Sequence, residues 1–278
     1  MALYKDNMNQ ALQTYGQPKM VTIKKIVQEN EFVKTFFLDV SLGVKAGQFV
    51  NIWLPGVDEK PLSVAYDDGS QTLITFYAFG HMTKKLFELS EGDKVGIRGP
   101  YGTYYTWNKG DTLVLVAGGY GAAPMYFVAN EAIKDDCKIH FVVGARNKDL
   151  LLYLDKIEKL PNVELHVATD DGSMGLKGYN TEILKDLLAA GEVSRVFACG
   201  PEMMEKRIVD LCSEAGVKSW ISVERYMKCG FGVCGHCCLD DSGDRVCKEG
   251  PVMSGELLAA SPEFGKYHRD KVGKKVKL

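Results

Sequence analysis

The 278-residue sequence contains no long apolar run, and its positive and negative charges nearly cancel. No stretch reaches the ~20 apolar residues that a membrane-spanning helix needs, so no membrane span is expected. The formal net charge is only −2, which argues against a nucleic-acid or membrane-surface role for the chain as a whole. The first 18 residues are polar and lack the apolar centre of a signal peptide. We therefore expect a cytoplasmic protein with no nucleic-acid partner.

Hydrophobic residues make up 46% of the sequence, enough to bury a full core, and the length suggests two medium domains plus a small module. Over 20–107, short β-type runs alternate with turn residues, which predicts an antiparallel β-barrel. One helical pattern, over 83–89, interrupts these runs. The pattern changes at Asp111, where apolar strand patterns begin to alternate with helical ones, and this change predicts a doubly wound parallel sheet.

The predicted fold class is therefore β plus α/β, with a small C-terminal module. Helices are expected over 122–133, 150–160, 181–189 and 203–215, between strands over 112–117, 138–143, 163–168 and 195–198. After residue 219 the periodicity fades. The predicted divisions are an N-terminal arm (1–18), a β-barrel (19–108), an α/β domain (109–218), and a cysteine-rich module with a tail (219–278).

Four cysteines near the C-terminus form the strongest motif. Cys229, Cys234, Cys237 and Cys247 follow the C-x4-C-x2-C…C spacing of plant-type [2Fe–2S] sites. The glycines between them suit a loop that curls around a cluster and aims backbone N–H groups at its sulfurs. Cys238 breaks the spacing and is interpreted as a bystander. A structural zinc site remains the alternative, although zinc usually prefers paired C-x2-C knuckles.

A glycine-rich turn over 116–124 joins a predicted strand to a predicted helix. Glycines let a backbone approach a pyrophosphate, and a helix N-terminus supplies aligned N–H donors. The turn is not G-x-G-x-x-G, so a tight structural turn explains it equally well. A second element ends a later strand, and two such elements at the carboxyl edge of a parallel sheet favour dinucleotide binding. The candidate residues are Gly118, Gly119, Gly121, Ala122 and Pro124 in the first element, and Cys199, Gly200 and Pro201 in the second.

The order of these motifs from about residue 20 to the C-terminus resembles the ferredoxin–NADP reductase superfamily. The motifs are Lys60-Pro61-Leu62-Ser63, Gly80-His81-Met82-Thr83, Gly99-Pro100-Tyr101-Gly102, the turn over 118–124 and Cys199-Gly200-Pro201. The cysteine module, with 169–175 and 224–229, is similar to one branch, the electron-transfer subunits of class B dihydroorotate dehydrogenases. This resemblance implies an FAD-binding barrel, an NAD(P)-binding domain and a [2Fe–2S] segment. It also implies a hetero-oligomer with an FMN-containing dihydroorotate dehydrogenase catalytic subunit.

The resemblance also implies roles for particular residues. Lys60 stands where the family usually has arginine, so it offers a pyrophosphate a point charge without a bidentate fork. Ser63 would lie near flavin N5 and Cys199 near the nicotinamide ring, and these two are the candidate catalytic residues. The other residues expected to contact the flavin cofactor are Pro61, Leu62, Phe76, Tyr77, Ala78, Gly80, Met82 and Thr83.

Hydride transfer moves two electrons whereas a [2Fe–2S] cluster takes one, and FAD adapts one process to the other. No general acid or nucleophile is needed for this chemistry. Arg146 offers a cation to a 2′-phosphate, but Asp170 ends the next predicted strand and would repel one. NAD(H) is therefore expected, and NADP(H) is left open.

Three functions follow from these observations. The first is the dihydroorotate-linked subunit, an NAD(P)H-linked FAD and iron–sulfur oxidoreductase subunit of pyrimidine biosynthesis. The second is a reductase subunit for another redox partner, such as sulfite reductase, hydrogenase or ferredoxin, because those branches share the same modules. The third is a zinc-stabilised binding module on the same scaffold.

Overall fold

A computed structural model describes residues 16–278. The predicted N-terminal arm, 1–18, therefore lies almost entirely outside the described residues. Two sheets organise the described part, a closed barrel and a seven-stranded sheet, and a two-stranded hairpin lies near the C-terminus.

The barrel has six antiparallel strands, as the short β runs predicted. Its spatial order is β1-β2-β5-β4-β3-β6. Phe36 and Phe76 meet edge to face inside it with ring centroids 4.9 Å apart, and helix α1 (His81–Phe87) buries Met82 and Leu86 against the same core. The strands are β1 (Lys19–Gln28), β2 (Val33–Leu38), β3 (Phe49–Leu54), β4 (Asp58–Asp67), β5 (Thr72–Tyr77) and β6 (Lys94–Tyr101).

The second sheet confirms the doubly wound parallel prediction. Its order is β10-β9-β8-β7-β11-β12-β13, and each neighbouring pair is parallel except β12–β13 at one edge. The crossover helices are α2 (Ala122–Ala132), α3 (Leu154–Ile157), α4 (Asn180–Ala190) and α5 (Glu202–Ala215). The strands are β7 (Thr112–Gly118), β8 (Lys138–Ala145), β9 (Val163–Thr169), β10 (Leu176–Lys177), β11 (Arg195–Cys199), β12 (Lys218–Ser222) and β13 (Val252–Ser254).

The helix predicted over 150–160 is wrong in length, since α3 is a single turn. Tyr153 precedes it with a φ of 67°, a left-handed conformation that non-glycine residues rarely adopt. Its side chain is 7% exposed, and its hydroxyl lies 2.6 Å from the Thr75 hydroxyl and 3.2 Å from that of Thr35, both in the barrel. These contacts between the barrel and the α/β sheet override the local helical pattern.

The C-terminal segment contains more regular structure than its sequence predicted. Strand β12 runs across the predicted boundary at 218/219, and β13 returns from the cysteine-rich loop to pair with it, Val252 opposite Ser222. Helix α6 (Gly255–Ala260) and a hairpin of β14 (Tyr267–Arg269) and β15 (Lys275–Lys277) follow. The division of the chain into domains stays a prediction.

A buried arginine holds this segment against α5. Arg225 is 9% exposed, and its Nε donates to Glu263 at 2.7 Å while its Nη1 donates to Glu202 at 2.7 Å. Glu263 is 1% exposed and also accepts the Asp240 N–H at 2.8 Å. The Gly265 N–H donates to Glu202 at 2.9 Å. The guanidinium therefore joins the start of α5 to two distant parts of the C-terminal segment.

Replacing Arg225 by alanine should lower the free energy of unfolding by about 3–5 kcal/mol, because Glu263 would remain buried without its cation. Urea unfolding followed by circular dichroism measures this change. The matched control is Lys24→Ala, which breaks an exposed 3.1 Å pair with Asp39 and should cost less than about 1 kcal/mol. Equal losses in the two variants would contradict the structural role given to Arg225.

Candidate cofactor-binding site

The two glycine-containing elements predicted from the sequence lie against each other. Strand β7 ends at Gly118, and Gly200 follows the neighbouring strand β11. A Cβ on Gly118 would lie 2.5 Å from Pro201 Cδ, and a Cβ on Gly200 would lie 2.9 Å from the Gly118 Cα. Both glycines therefore permit a close backbone approach at the carboxyl edge of the parallel sheet.

The remaining glycines of the first element differ in their surroundings. A Cβ on Gly121 would collide with the carbonyl oxygen of Cys199, so Gly121 is required by packing. Gly119 has a φ of +54°, and a Cβ there would have no atom within 4 Å, so this residue faces open space. Ala122 and Pro124 are buried in the first turn of α2. The space that a ligand could occupy next to this turn is therefore at Gly119.

Aromatic side chains connect this turn to the barrel. The Tyr120 ring stacks on Tyr77 of β5, with centroids 6.2 Å apart and planes 28° apart. Tyr120 remains 42% exposed, and its hydroxyl donates to Glu224 at 3.3 Å. Strand β4 packs along α2, which starts directly after the turn. The strands expected to hold the flavin and the turn expected to hold the dinucleotide thus meet at this aromatic contact, and the exposed surface around it is termed the cleft.

Cys199 and Glu205 are buried beside this cleft. Cys199 is 5% and Glu205 is 1% exposed, and Glu205 Oε1 accepts the Gly200 N–H at 3.1 Å. Burial raises the pKa of Glu205 well above its usual range, and the charge of Glu224 adds to the shift. Burial likewise raises the pKa of the Cys199 thiol, helped by the charge of Glu205. At neutral pH Cys199 is therefore a neutral thiol.

The four residues Lys60 to Ser63 form the centre of β4 and are all half-buried. Lys60 pairs with Ile52 and Ser63 with Phe49 across the β3–β4 ladder. The Lys60 Nζ lies 2.5 Å from Asp58 Oδ2 and 5.4 Å from the centre of the Tyr226 ring. The cation expected to face a pyrophosphate thus already has a carboxylate neighbour.

The other predicted flavin residues fall into two groups. Phe76 and Met82 are 1% and 2% exposed and fill the barrel core. Tyr77 and Ala78 are half-buried at the end of β5, and Gly80 is exposed just before α1. The Gly80 N–H donates to Thr83 Oγ1 at 3.0 Å, so the threonine hydroxyl closes the start of α1.

Arg146 and Asp170 lie at the carboxyl ends of neighbouring strands. The Asp170 N–H donates to the Ala145 carbonyl at 3.1 Å, and the Asp171 N–H donates to the Arg146 carbonyl at 3.2 Å. Asp170 and Arg146 are both exposed. The carboxylate of Asp170 and the guanidinium of Arg146 therefore come from neighbouring strand ends, at the edge where parallel sheets bind dinucleotides.

The cysteine-rich loop brings four thiols together as two pairs. Although partial burial opposes the change, hydrogen bonds from the backbone of Cys234 and its neighbours, and from the Cys234 thiol, lower the pKa of Cys229 to about 6. In the other pair, the thiol of Cys247 donates to Cys237, lowering the pKa of Cys237 to about 7 and raising that of Cys247. Cys237 Sγ also accepts the Cys247 N–H at 3.4 Å.

The described thiols do not form one compact set of four. A tetrahedral zinc ion with ~2.3 Å bonds would hold all four sulfurs about 3.8 Å apart. Within residues 16–278, no three of the cysteine sulfurs lie within 4.8 Å of one another. Two separated pairs instead suit a site with two metal atoms. Cys238 forms an isolated backbone bridge with Arg245 and belongs to neither pair.

The barrel wall contacts the cysteine-rich loop at its first cysteine. Asn51 Nδ2, on β3, and an Nη of Arg98, on β6, each donate to the Cys229 carbonyl at 3.4 Å. Arg98 is oriented by Glu59, whose Oε1 accepts from Nε at 2.7 Å. A Cβ on Gly230 would lie 2.8 Å from Asn51 Nδ2, so only glycine lets the loop approach this closely. Asn51 pairs with Pro61 of β4, which puts the loop one strand from the predicted flavin residues.

Sequence reasoning missed several of these residues. Asn51 and the Arg98–Glu59 pair have no motif, because they act through contacts with a loop far away in the sequence. Tyr120 lies inside the glycine-rich turn, and an aromatic residue between two glycines was the available signal. Glu224 precedes the first cysteine by five residues, and its position beside the cleft depends on the path of the chain after β12.

A closed barrel and a parallel sheet that share an aromatic-lined cleft, with a four-thiol loop on the barrel wall, define a flavin- and nicotinamide-dependent iron–sulfur oxidoreductase. Family models match each part. An oxidoreductase FAD-binding domain matches residues 19–105, and an oxidoreductase NAD-binding domain matches 115–210. The iron–sulfur cluster binding domain of dihydroorotate dehydrogenase B matches 224–259. The chain belongs to the family of dihydroorotate dehydrogenase B electron transfer subunits.

Individual relatives cover nearly the whole chain. A probable dihydroorotate dehydrogenase B (NAD(+)) electron transfer subunit of Methanocaldococcus jannaschii is 46% identical over 94% of this chain and 98% of its own length. The corresponding protein of Methanocella arvoryzae is 42% identical over 94% of this chain and its own full length. A solved chain from an NADH-dependent reduced ferredoxin-NADP oxidoreductase superposes with a TM-score of 0.79 at 31% identity, covering 87% of this chain and 90% of its own.

These comparisons confirm the expected superfamily and branch, and with them the FAD, NAD and iron–sulfur cofactors. The family is one of oxidoreductase subunits, and the name of the family implies a catalytic partner. Across residues 16–278, no helix has both the length and the apolar character required to cross a membrane.

Replacing Glu205 by glutamine should raise the thermal midpoint at pH 8 by a few degrees and change it little near pH 4. The pKa of Glu205 is higher in the folded chain than in the unfolded chain, where it is about 4.3. Above that pH the unfolded chain releases a proton that the folded chain retains, so the free energy of unfolding falls as the pH rises. Glutamine removes this loss of stability with rising pH and still accepts the Gly200 N–H.

Thermal melts between about pH 4 and pH 8 measure this difference. Glu214→Gln, at an exposed position on the same helix, is the matched control and should change the midpoint little at any pH. A Glu205→Gln midpoint that parallels the wild type over the whole range would contradict the assignment.

Proposed function

We propose that this chain transfers electrons between NAD(H) and an FMN-containing dihydroorotate dehydrogenase catalytic subunit in pyrimidine biosynthesis, through FAD and a [2Fe–2S] cluster. The observation that carries the proposal is the shared cleft, where Tyr120 of the glycine-rich turn stacks on Tyr77 of the barrel. The four-thiol loop lies one barrel strand away. We further propose a cytoplasmic location, because a reducing compartment keeps such thiols available as ligands.

The flavin side of the cleft belongs to the barrel. Lys60, Thr83 and Gly80 would together bind the pyrophosphate. Lys60 now lies 2.5 Å from Asp58, and it would have to give up this carboxylate in order to bind the phosphate. Pro61, Leu62 and Ser63 on β4, with Tyr77 and Ala78 on β5, would contact the flavin ring. Phe76 and Met82 would not touch the flavin directly. They would position β5 and α1 by packing in the barrel core. When bound, FAD supplies the exchange between two-electron and one-electron chemistry.

The nicotinamide side belongs to the carboxyl edge of the parallel sheet. The backbone around Gly119 would receive the dinucleotide where the turn is open. Gly118, Gly121, Gly200 and Pro201 would shape that edge by packing. Ala122 and Pro124 would hold the first turn of α2. Cys199, kept neutral by burial, would border the nicotinamide ring without adding a charge.

The preference for NAD is part of this proposal. Among the proposed nucleotide-binding residues, only Arg146 has a cationic side chain that could bind a 2′-phosphate. Asp170 ends the adjacent strand, and the hydrogen bonds between the two strand ends keep its carboxylate close by. A carboxylate suits a free ribose 2′-hydroxyl and repels a phosphate.

We also propose that the chain divides into an FAD domain over 19–108, an NAD domain over 109–218 and a cluster module over 219–278. The family-model limits at 105, 115, 210 and 224 support this division. The cluster module would depend on the NAD domain for its fold, because β13 pairs with β12 and Arg225 binds Glu202.

Cys229, Cys234, Cys237 and Cys247 are the proposed cluster ligands. The two thiol pairs support a division in which Cys229 and Cys234 hold one iron and the other two hold the second. Replacing any one of the four by serine should remove most of the two irons and two sulfides per chain that a [2Fe–2S] cluster contains.

Iron and labile-sulfide assays of the purified variants test the ligand set. Cys238→Ser is the matched control, and it should retain a full cluster. Loss of the cluster from the Cys238 variant alone would mean that the ligand register is wrong, and bound zinc with no iron in the wild type would support the zinc-stabilised module.

The electron-transfer function predicts a dihydroorotate-dependent reduction of NAD⁺ by the complex of this chain with its catalytic partner, purified together from the native host. NADP⁺ should react with a kcat/KM at least about tenfold lower, which corresponds to ~1.4 kcal/mol of transition-state discrimination. The isolated chain should pass electrons from NADH to an artificial acceptor and fail to oxidise dihydroorotate. Equal or better use of NADP⁺ would contradict the nucleotide assignment.

A reductase subunit for a ferredoxin-type acceptor is the second candidate. The observation in its favour is the likeness to the solved ferredoxin-NADP oxidoreductase chain, 31% identical over 90% of that chain. A native complex that reduces ferredoxin and does not respond to dihydroorotate would replace the first proposal with this one.

A further inference from the structure

Three side chains with metal-binding atoms converge on one face of the parallel sheet, away from the cleft. His140 lies on β8, and Glu164 and His166 lie on the adjacent β9. His140 is directly opposite Glu164 in the ladder, and His166 is two residues further along β9. Because side chains alternate between the faces of a strand, this register puts all three on the same face.

Their ligand atoms have the separations that one ion requires. His140 Nδ1 is 3.2 Å from His166 Nε2 and 3.3 Å from Glu164 Oε2, and His166 Nε2 is 3.7 Å from Glu164 Oε1. Zinc bonds of 2.0–2.1 Å in a tetrahedral site would hold ligand atoms about 3.3 Å apart. The two imidazoles and the carboxylate could therefore share one ion with little movement.

The surroundings leave an open side. The side chains of His140 and His166 are 25% and 20% exposed, and that of Glu164 is 66% exposed. His140 and Glu164 border an open groove of about 370 Å³ that Lys138 and Asn162 also line. Three protein ligands with solvent on the remaining side match the two-histidine, one-carboxylate sets that leave a position of the metal for water.

A metal-free hydrogen bond between the two imidazoles is the competing explanation for the 3.2 Å contact. That bond accounts for the two nitrogens, but it leaves the Glu164 carboxylate facing the same two atoms.

We propose that His140, Glu164 and His166 bind one divalent transition-metal ion of the zinc class, with its open coordination position filled by water. The site lies toward the amino-terminal halves of β8 and β9, whereas the glycine-rich turns follow the carboxyl ends of the strands. It is therefore separate from the cofactor cleft. Because the ion would join two adjacent strands in the folded state, its binding should stabilise the fold.

The test is a calorimetric titration of the oxidised holoprotein, with its full iron content, using Zn²⁺. We expect one Zn²⁺ bound per chain and a zinc-dependent rise in the thermal midpoint. His140→Gln and His166→Gln should each weaken binding at least tenfold and abolish that rise, and Glu164→Gln should weaken binding as well. Mg²⁺ should not compete, because nitrogen ligands favour the later transition metals.

Two control variants separate this site from general zinc binding. Lys138→Gln removes a cation from the same groove, so it should retain or strengthen binding. His268→Gln removes a histidine from the C-terminal hairpin and should leave the titration unchanged. Iron content and NADH-to-acceptor turnover equal to the wild type show that each variant is folded.

The proposal is overturned if wild-type protein binds no Zn²⁺ at 100 μM, or if both histidine variants bind it with wild-type affinity. If a histidine variant does not fold, Glu164→Gln decides the outcome, since its exposed side chain contributes little to packing. Unchanged zinc affinity in that variant would then overturn the three-ligand site.

Discussion

The buried guanidinium of Arg225 sets the relation between the parallel sheet and the cysteine-rich loop. It binds Glu202 at the start of α5 and Glu263 near the end of the chain. Glu202 directly follows Cys199-Gly200-Pro201, so the helix that begins after this element is also the helix that anchors the C-terminal segment. A displacement of either one would leave a carboxylate buried without its cation, which is costly in a poorly solvated interior. The cleft and the loop are therefore positioned by the same ion pairs.

The other side of the loop is held by the barrel. Asn51 and Arg98 bind the Cys229 carbonyl, and Gly230 fits against Asn51 only because it lacks a side chain. The loop itself has little regular structure, and these two attachments position it, one on the barrel and the other on α5. The cysteine-rich loop is therefore positioned by contacts with rigid elements, which suits a functional site that lies on a loop.

Much of this architecture could be predicted from the sequence because the relevant signals are local. Short β runs divided by turn residues mark the barrel strands, alternating strand and helix patterns mark the parallel sheet, and the cysteine spacing marks the cluster loop. The errors arise where long-range contacts decide. Tyr153 shortens the helix expected over 150–160 by reaching Thr35 and Thr75 of the barrel. The sequence of β13 has no strand pattern of its own, and this strand forms because it can pair with the free edge of β12. Asn51 likewise acquires its role only when the loop reaches it.

The glycine-rich turn shows why a motif locates a site better than it assigns roles within it. In the sequence, Gly119 and Gly121 look equivalent. In the structure, Gly121 is required because its backbone lies against the Cys199 carbonyl, whereas Gly119 adopts a left-handed conformation and borders open space. A side chain at either position would be unfavourable for a different reason, one steric and the other conformational. Only Gly119 is free to approach a ligand. Tyr120, which lies between the two glycines, is the residue that reaches the barrel. The contact between the turn and the barrel therefore comes from Tyr120, the residue between these two glycines.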